Sequence, residues 1–164
     1  MDIIKTFPDY SHYDIDLEAK TLNGYLKKSQ LTVDPELFKN VEKGDIIELY
    51  SFPENVQLFS NTEFRRLCSY SNEQMNTIPF PKLFWRDDEV HLFLMKKASI
   101  VCDGENKICR WDFKSHELVE ALHPKKRTFM MNLKWIAPCY REGSDKAVAF
   151  ISTCQVEFIY ELPE

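Results

Sequence analysis

The chain lacks the short motifs on which several familiar enzyme classes depend. It contains no G-x-S-x-G nucleophile turn, no P-loop and no H-E-x-x-H metal motif. Its five cysteines stand at unrelated spacings and form no C-x-x-C pair, which argues against a structural zinc site. Scattered cysteines in an odd number are also typical of a cytoplasmic protein with reduced thiols. We therefore expect a cytoplasmic protein without a recognisable catalytic or metal centre.

Long apolar runs and an excess of basic residues are missing as well. No stretch approaches the length of about 18 apolar residues that indicates a membrane-spanning helix, and no signal-peptide core follows Met1. The formal net charge is -5, whereas a general nucleic-acid binder needs a basic face. Lys125, Lys126 and Arg127 form a short basic run that is typical of a solvated loop. We expect neither a membrane nor a nucleic acid as a partner.

The most informative sequence that is present is a broken helical stretch in the middle of the chain. Residues that favour helix starts precede each helical pattern, at Asn61 or Thr62, at Ser71 or Asn72, and at Asp87 with Asp88. A Pro79-Phe80-Pro81 hinge separates the second pattern from the third. The third is the longest and is amphipathic over residues 89–101. This order predicts two short helices, a proline hinge and a long helix.

β-prone segments lie on both sides of the broken helical stretch. Residues 46–52 and 56–60 predict a hairpin around a proline-asparagine turn. Further β patterns cover residues 116–122, 128–137 and 147–161. Two strands, then helices, then three strands fit an α+β fold, with a five-stranded antiparallel sheet that carries short helices on one face.

The first 43 residues differ in pattern from the rest. Residues 1–43 are predicted to form a leader and a helical extension, ahead of a domain over residues 44–164. The helical pattern over residues 14–30 places several apolar residues near one face: Ile15, Leu22, Tyr25 and Leu26. Two interpretations stay open, because this helix can pack on its own domain or can form a homodimer.

One group of polar residues lies close together in a predicted strand. His116 and Glu120 share a strand face, and His123 points away from it. Such a face can in principle hold a metal or an acid-base pair. A solvated surface is the expected state of these residues.

Three segments of the chain resemble the PAS domain, a sensory module of histidine kinases and transcription regulators. In NVQLFSNTEFRRLCSYSNEQM, an Asn ends the strand, an aromatic residue follows, and a Tyr-Ser pair opens the next helix, at Asn61, Phe64, Tyr70, Ser71 and Glu73. TIPFPKLFWRDDEV resembles the segment that leads into the long helix, and TFMMNLKWIAPCYREGSDKAVAFIST resembles the last two strands. The resemblance covers about residues 44–161, with Ser69 at the place of a usual glycine.

The resemblance implies a sensory or signal-transduction domain that binds a small apolar molecule, a protein partner, or both. It also implies a homodimer formed through the N-terminal helix and an output partner of unknown identity. Strand parity and helix faces give the candidate pocket residues, which are Leu58, Phe64, Leu67, His91, Met95, Met131, Leu133, Trp135, Phe150 and Ser152. Each of these side chains can instead belong to a filled core.

Two cofactors are known in related sensors, and neither is favoured by this sequence. Heme-binding PAS sensors carry their axial histidine in the long helix, where His91 stands four residues before Met95. Flavin photosensors carry a reactive cysteine in an N-C-R-F-L-Q-like motif, and residues 81–87 contain no cysteine. The cofactor is therefore left unknown.

Two other classes of function remain as alternatives. A small-molecule carrier or enzyme on a nuclear-transport-factor-like cone fold predicts paired acidic and histidine groups in a pocket. It also predicts a sheet that begins after a long helical stretch. A ligand-free structural dimerisation module predicts a filled core without a cavity.

Overall fold

The computed structural model describes residues 3–105, 107–110 and 114–163, and has a mixed α+β fold. The helices are α1 Ile15–Lys28, a 3₁₀ helix Pro35–Asn40, α2 Thr62–Leu67, α3 Asn72–Thr77, α4 Phe80–Leu83 and α5 Asp88–Cys102. The strands are β1 Ile4–Thr6, β2 Leu31–Thr32, β3 Ile46–Ser51, β4 Gln57–Ser60, β5 Phe84–Arg86, β6 Cys109–Arg110, β7 His116–Glu120, β8 Thr128–Arg141 and β9 Ala147–Glu161. Within the described ranges, every helix is too short or too polar to cross a bilayer.

One antiparallel sheet forms the centre of the fold. Its main path runs β4-β3-β9-β8-β7-β5, while β1 pairs with the end of β9, β2 with the end of β8, and β6 with the middle of β8. The two longest strands, β8 and β9, pair from Thr128 opposite Tyr160 to Tyr140 opposite Ala147. The five predicted strands are present as β3, β4, β7, β8 and β9, and the four short strands were not predicted.

The sheet is covered on both faces. Helices α2 to α5 pack on one face, where Phe64 and Leu94 contact a cluster that includes Met131. Helix α1 and the 3₁₀ helix pack on the other face, where Leu22 lies in a cluster with Trp135. Strands that are buried on both faces have apolar residues at nearly every position, which explains the long β-prone run of β9.

Helix α1 belongs to its own domain. Asp14 caps it, since its Oδ1 accepts hydrogen bonds from the backbone N–H groups of Asp16 and Leu17, each at 3.1 Å. Leu22 and Leu26, one turn apart, are buried against the sheet. The apolar face of the predicted helix is thus used inside the chain.

Part of the predicted leader is also fixed on the sheet. Strand β1 pairs with β9, with Ile4 opposite Glu161. The Tyr10 hydroxyl donates to the carbonyl of Val156 at 2.6 Å, and the buried Tyr13 hydroxyl donates to the carbonyl of Asp45 at 3.0 Å. Residues 1 and 2 of the leader lie outside the described residues.

The predicted helix starts of the broken helical stretch are confirmed. Asn61 caps α2 by accepting from the N–H of Phe64 at 3.4 Å. Ser71 caps α3 in a reciprocal capping box with Gln74. Asp87 caps α5 by accepting from the N–H groups at the first turn.

The bend between α2 and α3, residues 68–71, is held by strand β7 and helix α4. The N–H of Ser69 donates to the Glu120 carboxylate at 2.7 Å, and the Tyr70 hydroxyl donates to the carbonyl of Leu83 at 2.6 Å. Glu120 is fully buried, and His116 on the same strand face is 7% exposed. The expectation of a solvated face at these two residues is therefore wrong, because Leu118 between them packs in the core with Phe64 of α2 and Leu83 of α4.

A bulge in β8 changes which side chains face the helices. Pairing with β9 passes from Leu133 opposite Cys154 to Trp135 opposite Thr153, so Lys134 is an extra residue on β8. Because the side-chain period of a strand is two, one extra residue moves the following side chains to the other face. The predicted shared face of Met131, Leu133 and Trp135 is thus wrong at Trp135, which packs under α1.

Candidate functional site

A cavity of about 240 Å³ lies between α5 and the sheet. Its floor comes from β3, β8 and β9, and consists of Glu48, Tyr50, Leu133, Ile136, Phe150 and Ser152. Its roof comes from α4, β5 and α5, and consists of Phe80, Pro81, Phe84, Leu94 and Met95. The remaining lining residues are Asn55, Trp85, Arg86, Asp88 and His91.

Aromatic rings form one end of the cavity. Tyr50 on β3 lies opposite Phe150 on β9, and their rings stack with centroids 5.4 Å apart. Phe80 meets the Tyr50 ring edge-on at 5.9 Å and lies 4.8 Å from the ring of Phe84. Such ring pairs give a rigid apolar wall. The Pro79-Phe80-Pro81 hinge is what brings Phe80 over the sheet.

Two polar side chains rise from the floor beside this wall. Glu48 and Ser152 are direct cross-strand neighbours, two residues along from the Tyr50–Phe150 pair. Both are buried, at 4% and 8% exposure. Burial raises the pKa of Glu48, and the charge of Arg86 only partly opposes this effect. The floor therefore carries a carboxyl group for which the uncharged form is favoured relative to water.

Arg86 reaches into the cavity from the edge strand β5. It stands opposite Leu118 of β7, and Phe84, two residues earlier, points into the core under the helices. The Nε atom of Arg86 is buried and has no hydrogen-bond partner. Its charge acts on Glu48 and on His116, whose two ring nitrogens are also buried without partners. Buried polar atoms without partners are rare enough to indicate water or a ligand.

The predicted shared face of the long helix is confirmed at the cavity mouth. His91 and Met95, one turn apart on α5, both line the cavity, and Asp88 lies one turn before His91. Met95 is half-buried, whereas His91 and Asp88 are exposed. The histidine stands at the rim of the cavity, not at its inner end.

The structure brings half of the predicted pocket residues together and separates the rest. Those that line the cavity are His91, Met95, Leu133, Phe150 and Ser152. Those that lie in the packed layer under the helices are Phe64, Leu67 and Met131. Those that lie on the α1 side of the sheet are Leu58 and Trp135.

Several residues of the cavity were not predicted from the sequence. Glu48 and Tyr50 alternate within a strand that was predicted, so their shared face could have been read from the sequence. Ile136 was missed because the bulge at Lys134 shifts it onto the cavity side. Arg86 could not be recognised as a cavity residue from the sequence, because the short strand that carries it has no periodic pattern.

Two further grooves flank the 3₁₀ helix on the opposite face of the sheet. They share Thr32, Val33 and Pro35. Exposed side chains such as Lys27 and Glu142 contribute to the walls of one of them. The cavity under α5 is therefore the more enclosed and more apolar site.

In the part of the chain that the structure describes, no three His, Cys, Asp or Glu side chains are grouped closely enough to hold a metal ion. Comparison of the chain with family models, curated proteins and solved structures finds no match. A function for this chain is therefore inferred from the geometry of the cavity.

Proposed function

We propose that this chain is a PAS-like sensory domain in which a small, mostly apolar molecule occupies the cavity between α5 and the sheet. The observation that carries the proposal is the cavity itself, with an aromatic wall and a few convergent polar groups. Its roof is the broken helical stretch, and its floor is formed by the central strands.

The order of the elements supports the PAS-like assignment. A hairpin of β3 and β4 precedes the four helices α2 to α5, and β7, β8 and β9 follow them. Antiparallel pairing places β3 directly beside β9, so the two halves of the sheet close on each other below the helices. Short helices α2 to α4 pack on one face of these five strands, as the PAS resemblance implies.

The alternatives fit this arrangement less well. A nuclear-transport-factor-like cone fold begins its sheet after a long helical stretch, whereas strand β1 of this sheet precedes α1 and the pair β3 and β4 precedes α2. A ligand-free dimerisation module needs no cavity between its helices and its sheet. Glu48, Asp88 and His91 do line the cavity, but only Glu48 is buried.

Signalling requires that the ligand binds two conformations of the protein with different affinity. Helix α5 is the element that contacts the cavity along its length, through Asp88, His91, Leu94 and Met95. We propose that occupancy shifts α5 against the sheet and that a separate partner protein reads this shift in the cytoplasm. Homodimer formation through the outer face of α1, where Leu17 is exposed, belongs to the same proposal. Light scattering, which reports mass in solution, tests the dimer.

The experiment that tests the ligand is native mass spectrometry of the purified chain, combined with a visible absorption spectrum. We expect a retained small molecule as a mass adduct. Absorption bands of heme or flavin would identify either cofactor. A bare, colourless chain from gentle purification would contradict the sensory proposal and favour the interaction module.

A cavity-filling substitution adds a matched test. Met95→Trp places a large ring in the cavity and is expected to abolish the mass adduct, while stability changes by about 1 kcal/mol or less because the ring enters existing space. Leu92→Trp is the control, since Leu92 lies on the same helix and is 68% exposed. An adduct that persists in Met95→Trp would show that the molecule binds elsewhere.

A further inference from the structure

We propose that the ligand of the cavity is a carboxylic acid with a small apolar or aromatic body, held through its carboxylate by Arg86. This inference rests on the proposed function, because it names the chemical class of the molecule that occupies the same cavity. The observation behind it is the position of the Arg86 guanidinium relative to the groups around it.

Arg86 lacks an acidic partner in the fold. In the described residues, no carboxylate forms an ion pair with Arg86, although other arginines and lysines have such partners. Glu48 lines the same cavity but lies too far from Arg86 for an ion pair. The Nε atom of Arg86 is buried without a hydrogen-bond partner. A buried charged donor without an acceptor is costly, so the site favours a molecule that supplies the acceptor.

The shape of the guanidinium favours a carboxylate as that acceptor. Its planar fork of N–H donors matches the two oxygens of a carboxylate, and such charge-assisted pairs are about twice as strong as neutral hydrogen bonds. The Ser152 hydroxyl, which also lines the cavity, offers a further donor from the floor. Arg86 and Ser152 thus provide donors from two sides of the same space.

The electrostatics of the groups around Arg86 also favour an anionic ligand. Burial raises the pKa of Glu48, which favours its neutral form, and burial lowers the pKa of His116 to about 3, which keeps this neighbour of Arg86 uncharged. The remaining acidic lining residue, Asp88, is exposed at the rim, where water screens it. The buried part of the cavity therefore combines an Arg86 cation without an ion-pair partner among the described residues and a Glu48 carboxyl whose ionised form burial disfavours.

The walls of the cavity limit the size and shape of the apolar part of the ligand. Tyr50, Phe80 and Phe150 present aromatic surface next to the polar end, and the whole space is about 240 Å³. A single ring with a short acidic arm suits this volume and this wall. Phenylacetate is therefore a suitable probe of the proposed ligand class.

The test is a titration of the full chain, followed by amide chemical shifts, with four probes that share one ring: phenylacetate, phenylacetamide, phenethylamine and toluene. We expect phenylacetate to bind about tenfold more tightly than phenylacetamide, a difference of about 1.4 kcal/mol, and phenethylamine to bind most weakly. Arg86→Met is expected to remove the preference for phenylacetate over phenylacetamide. Arg65→Met, which removes an exposed positive charge outside the cavity, is expected to keep it.

The outcomes separate this inference from the proposed function. Equal binding of toluene, phenylacetamide and phenylacetate would overturn the carboxylate assignment, would leave an apolar ligand site in place, and would indicate that ordered water satisfies Arg86. Absence of shifts at cavity residues with all four probes would contradict both proposals. If Arg86→Met does not fold, Arg86→Lys serves instead, because it keeps the charge and loses the fork. A preference unchanged in Arg86→Lys and in Arg65→Met alike would overturn the role of the guanidinium.

Discussion

Replacement of Asp45 by alanine is expected to lower the free energy of unfolding by about 3 kcal/mol, whereas Glu42→Ala lowers it by about 1 kcal/mol or less. Both carboxylates contact the Lys134 ammonium, at 2.9 Å from Asp45 Oδ1 and 2.8 Å from Glu42 Oε2. Their surroundings differ, because the Asp45 side chain is fully buried and that of Glu42 is 72% exposed.

The large effect at Asp45 follows from the number of groups that lose a partner. Its carboxylate also accepts from the Gln155 amide at 2.8 Å and from the backbone N–H of Glu42 at 2.8 Å. Removal of the buried carboxylate leaves the Glu42 N–H without its acceptor and takes one partner each from Lys134 and Gln155, which costs more than the loss of an exposed ion pair. Lys134 is the extra residue of the β8 bulge, so this network also fixes the register on which the cavity depends.

Urea unfolding of wild type, Asp45→Ala and Glu42→Ala measures these differences. The slopes of the three transitions should agree, since the same surface is exposed on unfolding. Equal destabilisation by both substitutions would contradict the account of Asp45 as the buried centre of the network.

A second large effect is expected at acid pH from His116→Leu. Burial, together with the positive charge of Arg86, lowers the pKa of His116 to about 3, against an ordinary value of 6.5. Between these two values the unfolded chain binds a proton that the native protein does not bind. Wild type therefore loses stability as the pH falls below 6.5, by about 1.4 kcal/mol per pH unit from this residue.

The substitution removes this loss. At pH 5, His116→Leu is expected to be more stable than wild type by about 2 kcal/mol. Above pH 6.5 the histidine is neutral in both states, so its titration contributes no further change. Leucine also removes two buried ring nitrogens that have no hydrogen-bond partners, so no loss of stability is expected at pH 8.

Thermal or urea unfolding between pH 4.5 and pH 8 provides the measurement. The informative quantity is the difference between variant and wild type at each pH, because other groups titrate in both proteins. His12→Leu is the control, since His12 is exposed. A difference that stays constant across the pH range would mean that His116 is not held in its neutral form by the fold.

Most helices of this chain could be predicted because their signals are local, whereas α4 lies where the sequence predicted only a proline hinge. Asn61, Ser71 and Asp87 cap the helices that their positions indicate, since a cap depends only on the next few residues. The longest strands were also recognisable, and β9 covers residues 147–161 as expected. A long strand has a recognisable side-chain alternation and a high β-propensity along its sequence.

The remaining features of the fold depend on contacts between distant parts of the chain. Strand β1 forms only because β9 offers an edge to residues 4–6, and β5 forms only beside β7. The bulge at Lys134 leaves no mark in the pattern of β8, because its cause is a buried partner, Asp45, that lies far away in sequence.

The cavity was only partly predictable for the same reason. Met95, Leu133 and Phe150 were found by helix face and strand parity, which hold as far as the bulge. Glu48 was missed although its alternation with Tyr50 on a predicted strand could have been read, whereas Arg86 lies on a short strand without a periodic pattern. Both residues line one cavity only because the folded chain brings β3 and β5 to the same space.

The most direct test of the cavity as a binding site is a crystal structure of the chain under xenon pressure, since apolar cavities in proteins take up xenon. We expect xenon between Met95, Leu133 and Phe150, and its absence from Met95→Trp but not from Leu92→Trp. A wild-type structure in which side chains close this space and xenon is absent would contradict the proposed binding site.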